Sequence, residues 1–294
     1  MNINYELYKV FYHVATTLSF SEASKQLFIS QSAVSQAIKT LEKNLGQTLF
    51  IRSTKRVHLT PEGELLLRHI EPAMNLIKRG ESQLIENNSV GTQIRIGASD
   101  TICRYFLVPY LEKFHKEFPN VHIKVTNQTS YKCVDLLDSG DVDFIIINCP
   151  NSRLEKSYAL KKIATFQDRF VANESFCELK NQQVSFKTLL NYPILMLDRL
   201  STTSTFLHNL FQQHQLDLIP EIELSSNDLL IDLARIGLGI AFLPDYCFPK
   251  GPNDLFFLET EESLPERDLV IAYNEHMPLS KVAQEFLNYF PEIK

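Results

Sequence analysis

Residues 30–46 read SQSAVSQAIKTLEKNLG. Ser30 can cap a helix, Val34, Ile38, Leu41 and Leu45 form one apolar stripe along it, and Gly46 stops it. Its first turns carry small and amide side chains, Gln31, Ser32, Ser35 and Gln36. Serine hydroxyls and backbone N–H groups at a helix start can bond phosphate, and glutamine can pair with the edge of adenine. The same residues would equally serve as the polar face of an ordinary helix. Upstream, Ser19 with Glu22 three residues on is a capping-box signature for a helix containing Ala23 and Leu27. Before it, Tyr5, Tyr8, Phe11, Tyr12 and Ala15 recur at helical spacing. The second and third helices, joined around Phe28–Ser30, form a helix-turn-helix candidate.

Downstream, TLFIRSTKRVHL (48–59) has two short strand-like runs, Leu49–Ile51 and Val57–Leu59, around Arg52, Lys55 and Arg56. It reads as a hairpin wing with a basic tip. Thr60-Pro61 opens a helix running to about Asn87. In it Leu66, Ile70, Ala73, Ile77 and Leu84 approximate a coiled-coil seam, so dimerisation is favoured over packing on its own domain. Such a helix would be roughly 40 Å long, and Pro72 inside it removes a hydrogen bond and tends to kink it. The charge is divided to match: residues 1–60 are net +4, while the remainder is net −10 within an overall −6. A small basic head precedes a large acidic body.

Asn87–Thr92 reads as a polar hinge. From Gln93 on, strands and helices alternate: Ile94–Ala98, Cys103–Phe118, Val121–Thr126, Ser130–Asp138 and Phe144–Asn148, then again Ile194–Leu197, Thr203–Gln215, Glu221–Leu224, Asp228–Ile236 and Gly239–Leu243, closed by Leu269–Tyr273 and Ser280–Phe290. This implies βαβ units and a largely parallel sheet in two similar α/β lobes, the last elements returning to the first lobe.

Residues 18–63, with SQSAVSQAIKTLEKNLG, LFIRS and LTPEG, resemble the winged helix-turn-helix of LysR-type transcriptional regulators. The likeness continues through IGAS (96–99) and ARIGLGIAFLP (234–244). It implies a winged helix-turn-helix DNA-binding domain at 1–60 and a dimerising linker helix at 61–88. It further implies two Rossmann-like lobes resembling periplasmic binding proteins, one from 93–163 with 268–294 and the other from 164–267, crossing near Ala164 and Arg267. By this resemblance Gln31, Ser32, Ser35 and Gln36 would meet bases or phosphates, and Arg52, Lys55 and Arg56 would meet phosphates and the minor groove. The partners implied are double-stranded promoter DNA, a second copy of the chain in dimers and tetramers, and RNA polymerase.

In open α/β sheets, ligands bind beyond the carboxyl ends of strands, near helix N-termini. That places an effector against Ser99, Asp100, Thr101, Thr129 and Asn148 from the first lobe and Ser201, Thr202 and Thr203 from the second. The family's carboxylate-binding positions are best matched by Ser99 and Thr129, while helix capping accounts for any of these hydroxyls singly. Arg104 or Arg199 could pair with a carboxylate. Asp100 favours an amino acid or a hydroxy acid over a simple dicarboxylate.

The composition, 44% hydrophobic and 22% charged, is that of a globular protein with material for cores. No apolar run approaches a membrane span, Glu6 and Lys9 break up any N-terminal secretory signal, and the expected location is cytoplasmic. Five scattered cysteines give no metal-ligand spacing and read as free thiols. GxSxG, GxxxxGK[ST] and HExxH are missing, so neither an enzyme nor a cofactor or metal is expected. A solute-binding receptor is the alternative that the two lobes leave, opposed by the basic head.

Overall fold

The computed structural model describes residues 3–52, 57–86, 93–154, 158–249, 251, 254–275, 277 and 279–291. The chain forms two compact units, one from Met1–Ser89 with Asp138–Asp141 and the other from Val90–Leu137 and Val142–Lys294.

The first unit holds α1 (Tyr5–Thr17), α2 (Phe20–Leu27), α3 (Gln31–Leu45), a hairpin of β1 (Phe50–Arg52) and β2 (Val57–Leu59), and α4 (Pro61–Glu86). The caps anticipated from the sequence are made. Ser19 Oγ accepts from Glu22 N, Ser30 Oγ accepts from Ala33 N, and Gly46 ends α3 at φ 67°. Val34, Ile38 and Leu41 are fully buried against Phe11, Val14 and Ala23, so the α3 stripe closes the core of a three-helix head. The chain leaves α2 through Phe28, a non-glycine residue at φ 55° whose side chain is 95% exposed.

α4 runs unbroken through Pro72 for 26 residues. Its apolar stripe has two different surroundings. Leu66 and Ile70 pack on the head's own core, whereas Ile77 is 55% and Leu84 73% exposed. The single seam expected from spacing is therefore divided: its first turns belong to the head, and only the later turns present an uncovered apolar face. Lys55 and Arg56 of the expected wing tip and the expected hinge Asn87–Thr92 lie outside the described residues, as does the side chain of Arg52.

The second unit is a mixed α/β structure with two lobes. Its elements are β3 (Gln93–Ala98), α5 (Asp100–Ile102), a π-helical turn (Cys103–Leu107), α6 (Val108–Glu117), β4 (His122–Asn127), α7 (Ser130–Asp138), β5 (Phe144–Cys149) and β6 (Tyr158–Ala172). There follow β7 (Gln183–Val184), α8 (Phe186–Leu189), β8 (Ile194–Leu197), α9 (Thr202–Gln213), β9 (Ile222–Leu224), α10 (Asn227–Arg235) and β10 (Ile240–Pro244). The chain ends with β11 (Phe256–Phe257), β12 (Glu259–Thr260), β13 (Glu266–Asn274) and α11 (Lys281–Leu287). The main sheet runs β4-β3-β5-β13-β6-β10-β8-β9. β4, β3 and β5 are parallel, as are β10, β8 and β9. Between these triplets, β13 and β6 are antiparallel to their neighbours. The expectation of a largely parallel sheet is thus met within each lobe and fails between them.

The long strand β6 had no counterpart in the sequence reading. It pairs with β13 through Gln167 and with β10 from Asp168 onward, so the outgoing crossing lies a few residues beyond Ala164. Arg267 stands at the start of the returning strand. The helix expected at Cys103–Phe118 begins earlier, at Asp100, and widens to a π turn where Val108 N bonds Cys103 O. Pro109, one residue later, has no N–H to give to the carbonyl four residues back, and the turn upstream loosens.

Each lobe has apolar clusters on both faces of its strands. In the first, Phe144 and Ile146 pack one way and Ile145 and Ile147 the other. In the second, Ile240 and Phe242 are opposed to Ala241 and Leu243. These continuous apolar strands, covered by helices on both sides, fix where the polar carboxyl ends of the strands must lie.

Candidate functional site

On the head, the capped start of α3 presents Gln31, Ser32 and Gln36 exposed and Ser35 half-buried. Ser30 Oγ and Ser32 Oγ are 2.9 Å apart. The hairpin is tied to this helix by Glu42, whose Oε1 accepts from Leu49 N at 2.8 Å and Phe50 N at 3.3 Å. The start of α4 closes on the segment leading into β1: Thr60 Oγ1 donates to Thr48 O at 2.7 Å and accepts from Gly63 N at 3.0 Å. Gly63 has no room for a side chain, since a Cβ there would stand 2.2 Å from Leu49 O. The LTPEG run therefore encodes a close approach of helix to hairpin as well as a helix start.

Between the two lobes of the second unit lies a cleft of about 450 Å³ lined by hydroxyl and amide groups, large enough for a small molecule. Ser99, Asp100, Thr101, Thr129, Asn148, Ser201, Thr202 and Thr203 all border it. The helix-capping role proves compatible with a ligand role. Ser99 Oγ accepts from Ile102 N, Thr129 Oγ1 from Lys132 N, Ser201 Oγ from Thr203 N, and Ser226 Oγ from Leu229 N. Capping uses an oxygen lone pair and leaves each hydroxyl proton to be donated.

Asn127 and Gln128, of the loop after the second strand that the sequence places at the cleft, also border it, as do Lys132, Asp198, Asn227 and Tyr246, which were not singled out in the sequence. Among the described residues, the cation on its wall is Lys132. Arg104 and Arg199 are engaged outside it, with Asp228 at 3.4 Å and Glu223 at 4.0 Å. The arginines near the loops in sequence thus follow helix faces that turn toward the protein's own carboxylates. Asp100 accepts from Asn127 Nδ2 at 3.2 Å. Two hydrogen bonds cross between the lobes at the cleft: Asn227 Nδ2 to Thr101 Oγ1 at 2.8 Å, and Asn148 Nδ2 to Tyr246 OH at 3.3 Å. Asn227 Oδ1 is buried without a partner. Burial pushes the Tyr246 hydroxyl well above its ordinary pKa.

Among the described residues, no group of three or more His, Cys, Asp or Glu is placed to hold a metal ion, and no helix is long and apolar enough to cross a membrane. Burial raises the Cys103 and Cys149 thiols to about 11 and Cys133 to about 12. These groups hold their protons at neutral pH, which disfavours nucleophilic chemistry.

Comparison with known proteins agrees with this geometry. Residues 5–64 match the family model described as bacterial regulatory helix-turn-helix protein, lysR family, and residues 87–293 match the LysR substrate binding domain. The HTH-type transcriptional activator CmpR of Synechocystis is 25% identical over 98% of this chain and 95% of its own. Among solved structures, a full-length OxyR variant of Pseudomonas aeruginosa superposes with a TM-score of 0.71 at 19% identity, covering 100% of this chain and 99% of that one. The regulatory domain of Synechocystis CcmR in complex with 2-PG superposes with a TM-score of 0.61 at 20% identity, over 68% of this chain and 95% of that one. An N-terminal helix-turn-helix domain followed by a two-lobed α/β effector domain, each matched by its own family model, makes this chain a member of the LysR-type transcriptional regulators.

Proposed function

We propose that this regulator reads a specific operator through the start of α3 and changes its action when a small carboxylate-bearing effector occupies the cleft between its lobes. The head is residues 1–60 and the linker helix 61–88. The lobes are 93–163 with 268–294, and 164–267. Gln31, Ser32, Ser35 and Gln36 face bases and phosphates, while Arg52, Lys55 and Arg56 add phosphate contacts through the wing. The later turns of α4 pair two copies, so that two heads span a two-part site, and dimers associate further into tetramers. The regulator works in the cytoplasm on promoter DNA, with RNA polymerase as a further partner, and carries out no catalysis.

The observation that carries the effector reading is the convergence of capped helix starts from both lobes on one 450 Å³ cleft. Helix N-termini and hydroxyl donors favour an anion. The 2-PG bound by CcmR is that protein's ligand; for this chain it supports an acidic small molecule as the class. The alternative of a solute-binding receptor would need no DNA-binding head.

Capture of genomic fragments followed by gel-shift titration tests the reading. Specific fragments should be retained, and Gln31→Ala should weaken operator binding more than random-DNA binding, by about 1–3 kcal/mol of discrimination. A panel of small acids should then shift the protein–operator complex, and Thr129→Val and Ser99→Ala should blunt that response while leaving ligand-free operator binding intact. Full response in both variants would remove the cleft assignment.

A further inference from the structure

We infer that Arg267, sealed away from any ligand, sets the acid-binding end of the cleft by aiming the Thr203 hydroxyl into it. The inference rests on the effector reading above and deepens it by placing the ligand's carboxylate at the start of α9, on the second lobe.

Arg267 lies on the strand that returns between the lobes and is 2% exposed. Its guanidinium lies between the rings of Phe166 and Phe206, at 5.3 and 4.8 Å from their centroids. Nη1 donates to Asp168 Oδ2 at 2.6 Å and to Thr203 Oγ1 at 3.0 Å. A guanidinium is purely a donor, so Thr203 Oγ1 is the acceptor in that bond. The threonine proton therefore points away from the arginine. Among the described residues no acceptor takes it, and Thr203 borders the cleft. A hydroxyl that accepts from a cation is polarised and donates more strongly in turn.

The buried pair is also incompletely satisfied. Arg267 Nε and Nη2 and Asp168 Oδ1 have no partner. Charges buried with unmet hydrogen bonds are costly to keep, and well-packed apolar residues often serve stability as well or better. What the arrangement provides is a fixed guanidinium donor, its charge balanced by Asp168, directly behind the N-terminus of a 12-residue helix whose own dipole favours an anion. An acid group fits there. Asp100, on the first lobe, then meets a donor on the ligand, so the class that fits best is a 2-hydroxy or 2-amino acid.

The test uses the full-length protein and sodium glycolate as probe, with sodium chloride at equal ionic strength as control. The unfolding midpoint is followed against glycolate concentration, which gives an apparent affinity. Wild type should be stabilised beyond the chloride control. Thr203→Val should weaken glycolate about tenfold to a hundredfold, the range for a lost hydrogen bond to a charged group, and Thr203→Ser should restore it. Arg267→Met alone would strand Asp168, so the informative variant is the double Asp168→Leu/Arg267→Met. It removes both charges, keeps the interior apolar, and leaves Thr203 in place. A tenfold loss in this folded double variant supports the positioning role, and unchanged affinity makes Arg267 purely structural and overturns it. If Thr203→Val binds glycolate normally while Ser99→Ala or Thr129→Val loses it, the acid end lies on the first lobe: the inference fails and the cleft reading stands. No glycolate response in wild type beyond chloride also overturns the inference, leaving the cleft reading to the acid panel above.

Discussion

Replacing Gly63 by alanine should uncouple the linker helix from the wing. The added Cβ would sit 2.2 Å from Leu49 O and 3.0 Å from the Leu59 side chain. The nearer contact is with the backbone immediately before β1, held by its bond from Thr60 N, which cannot rotate away as a side chain could. The first turn of α4 must then retreat by about 1 Å to reach ordinary contact distance. That retreat strains the two bonds by which Thr60 closes on the hairpin, Thr60 N to Leu49 O at 3.0 Å and Thr60 Oγ1 to Thr48 O at 2.7 Å. Each is worth about 1 kcal/mol net, and overpacking adds about 1–3 kcal/mol. The expected loss is thus about 3–5 kcal/mol in a head whose total stability is on the order of 5 kcal/mol. Hydrogen exchange across residues 3–86 should show the head opening at a lower free energy while the effector unit exchanges as in wild type, and operator affinity should fall. Destabilisation below about 1 kcal/mol with full operator affinity would refute the argument that the helix is held against the hairpin by close backbone approach.

Three other substitutions or treatments follow from the geometry. Phe28→Asn should stabilise the head by about 1 kcal/mol in thermal unfolding, because a left-handed conformation costs a bulky residue about 1–2 kcal/mol and the ring, 95% exposed, gives up little packing; destabilisation would mean that the ring has a partner. Ile77→Asp places a charge on the uncovered part of α4 and should split the dimer in sedimentation and lower operator affinity steeply; an intact dimer would put the interface elsewhere. Iodoacetamide at pH 8 should label exposed Cys177 and leave native Cys103, Cys133 and Cys149 largely unmodified. Because folding raises these thiols from 9.0 to about 11–12, their contribution to stability is complete below pH 9 and declines as pH rises toward 11; a denaturation midpoint that is flat over that range would contradict it.

The helical head was legible because each of its signals is local. Ser19 and Ser30 cap within three residues of themselves, and the α3 stripe needs only its own period. The cleft residues were legible for a similar reason: a strand followed by hydroxyls and then a helix places those hydroxyls at the carboxyl edge of the sheet whatever the rest of the chain does. What was missed depends on distant partners. β6 alternates imperfectly because it passes from one lobe to the other within the sheet, paired with β13 up to Gln167 and with β10 thereafter. Asn227 and Tyr246 reach the cleft only through the folding of the second lobe over the first. Arg267, between Glu266 and Asp268 at the charged beginning of a strand, looks like a solvent-facing end in sequence and is instead a buried cation. The seam on α4 misled in the other direction: Leu66 and Ile70 keep the heptad spacing although the head itself covers them.

The bonds between the lobes set a bound on what an effector can do. Thr101 with Asn227, Asn148 with Tyr246, and Tyr105 with Asp228 join the lobes without a ligand. At about 1 kcal/mol each, they favour this arrangement by roughly 3 kcal/mol over one in which all are lost, or about a hundredfold in population. A ligand that binds equally well with and without these bonds adds affinity but no signal, since only a difference in affinity between two arrangements moves their balance. Groups already committed to these bonds are one place where such a difference arises. Asn227 is the clearest such group: its amide nitrogen holds Thr101, while its buried oxygen has no partner. A donor on the ligand that claims that oxygen would reinforce the bridge, whereas a bulkier ligand that displaces Thr101 would release it. The sign of the response would then follow from which side of one amide the effector occupies.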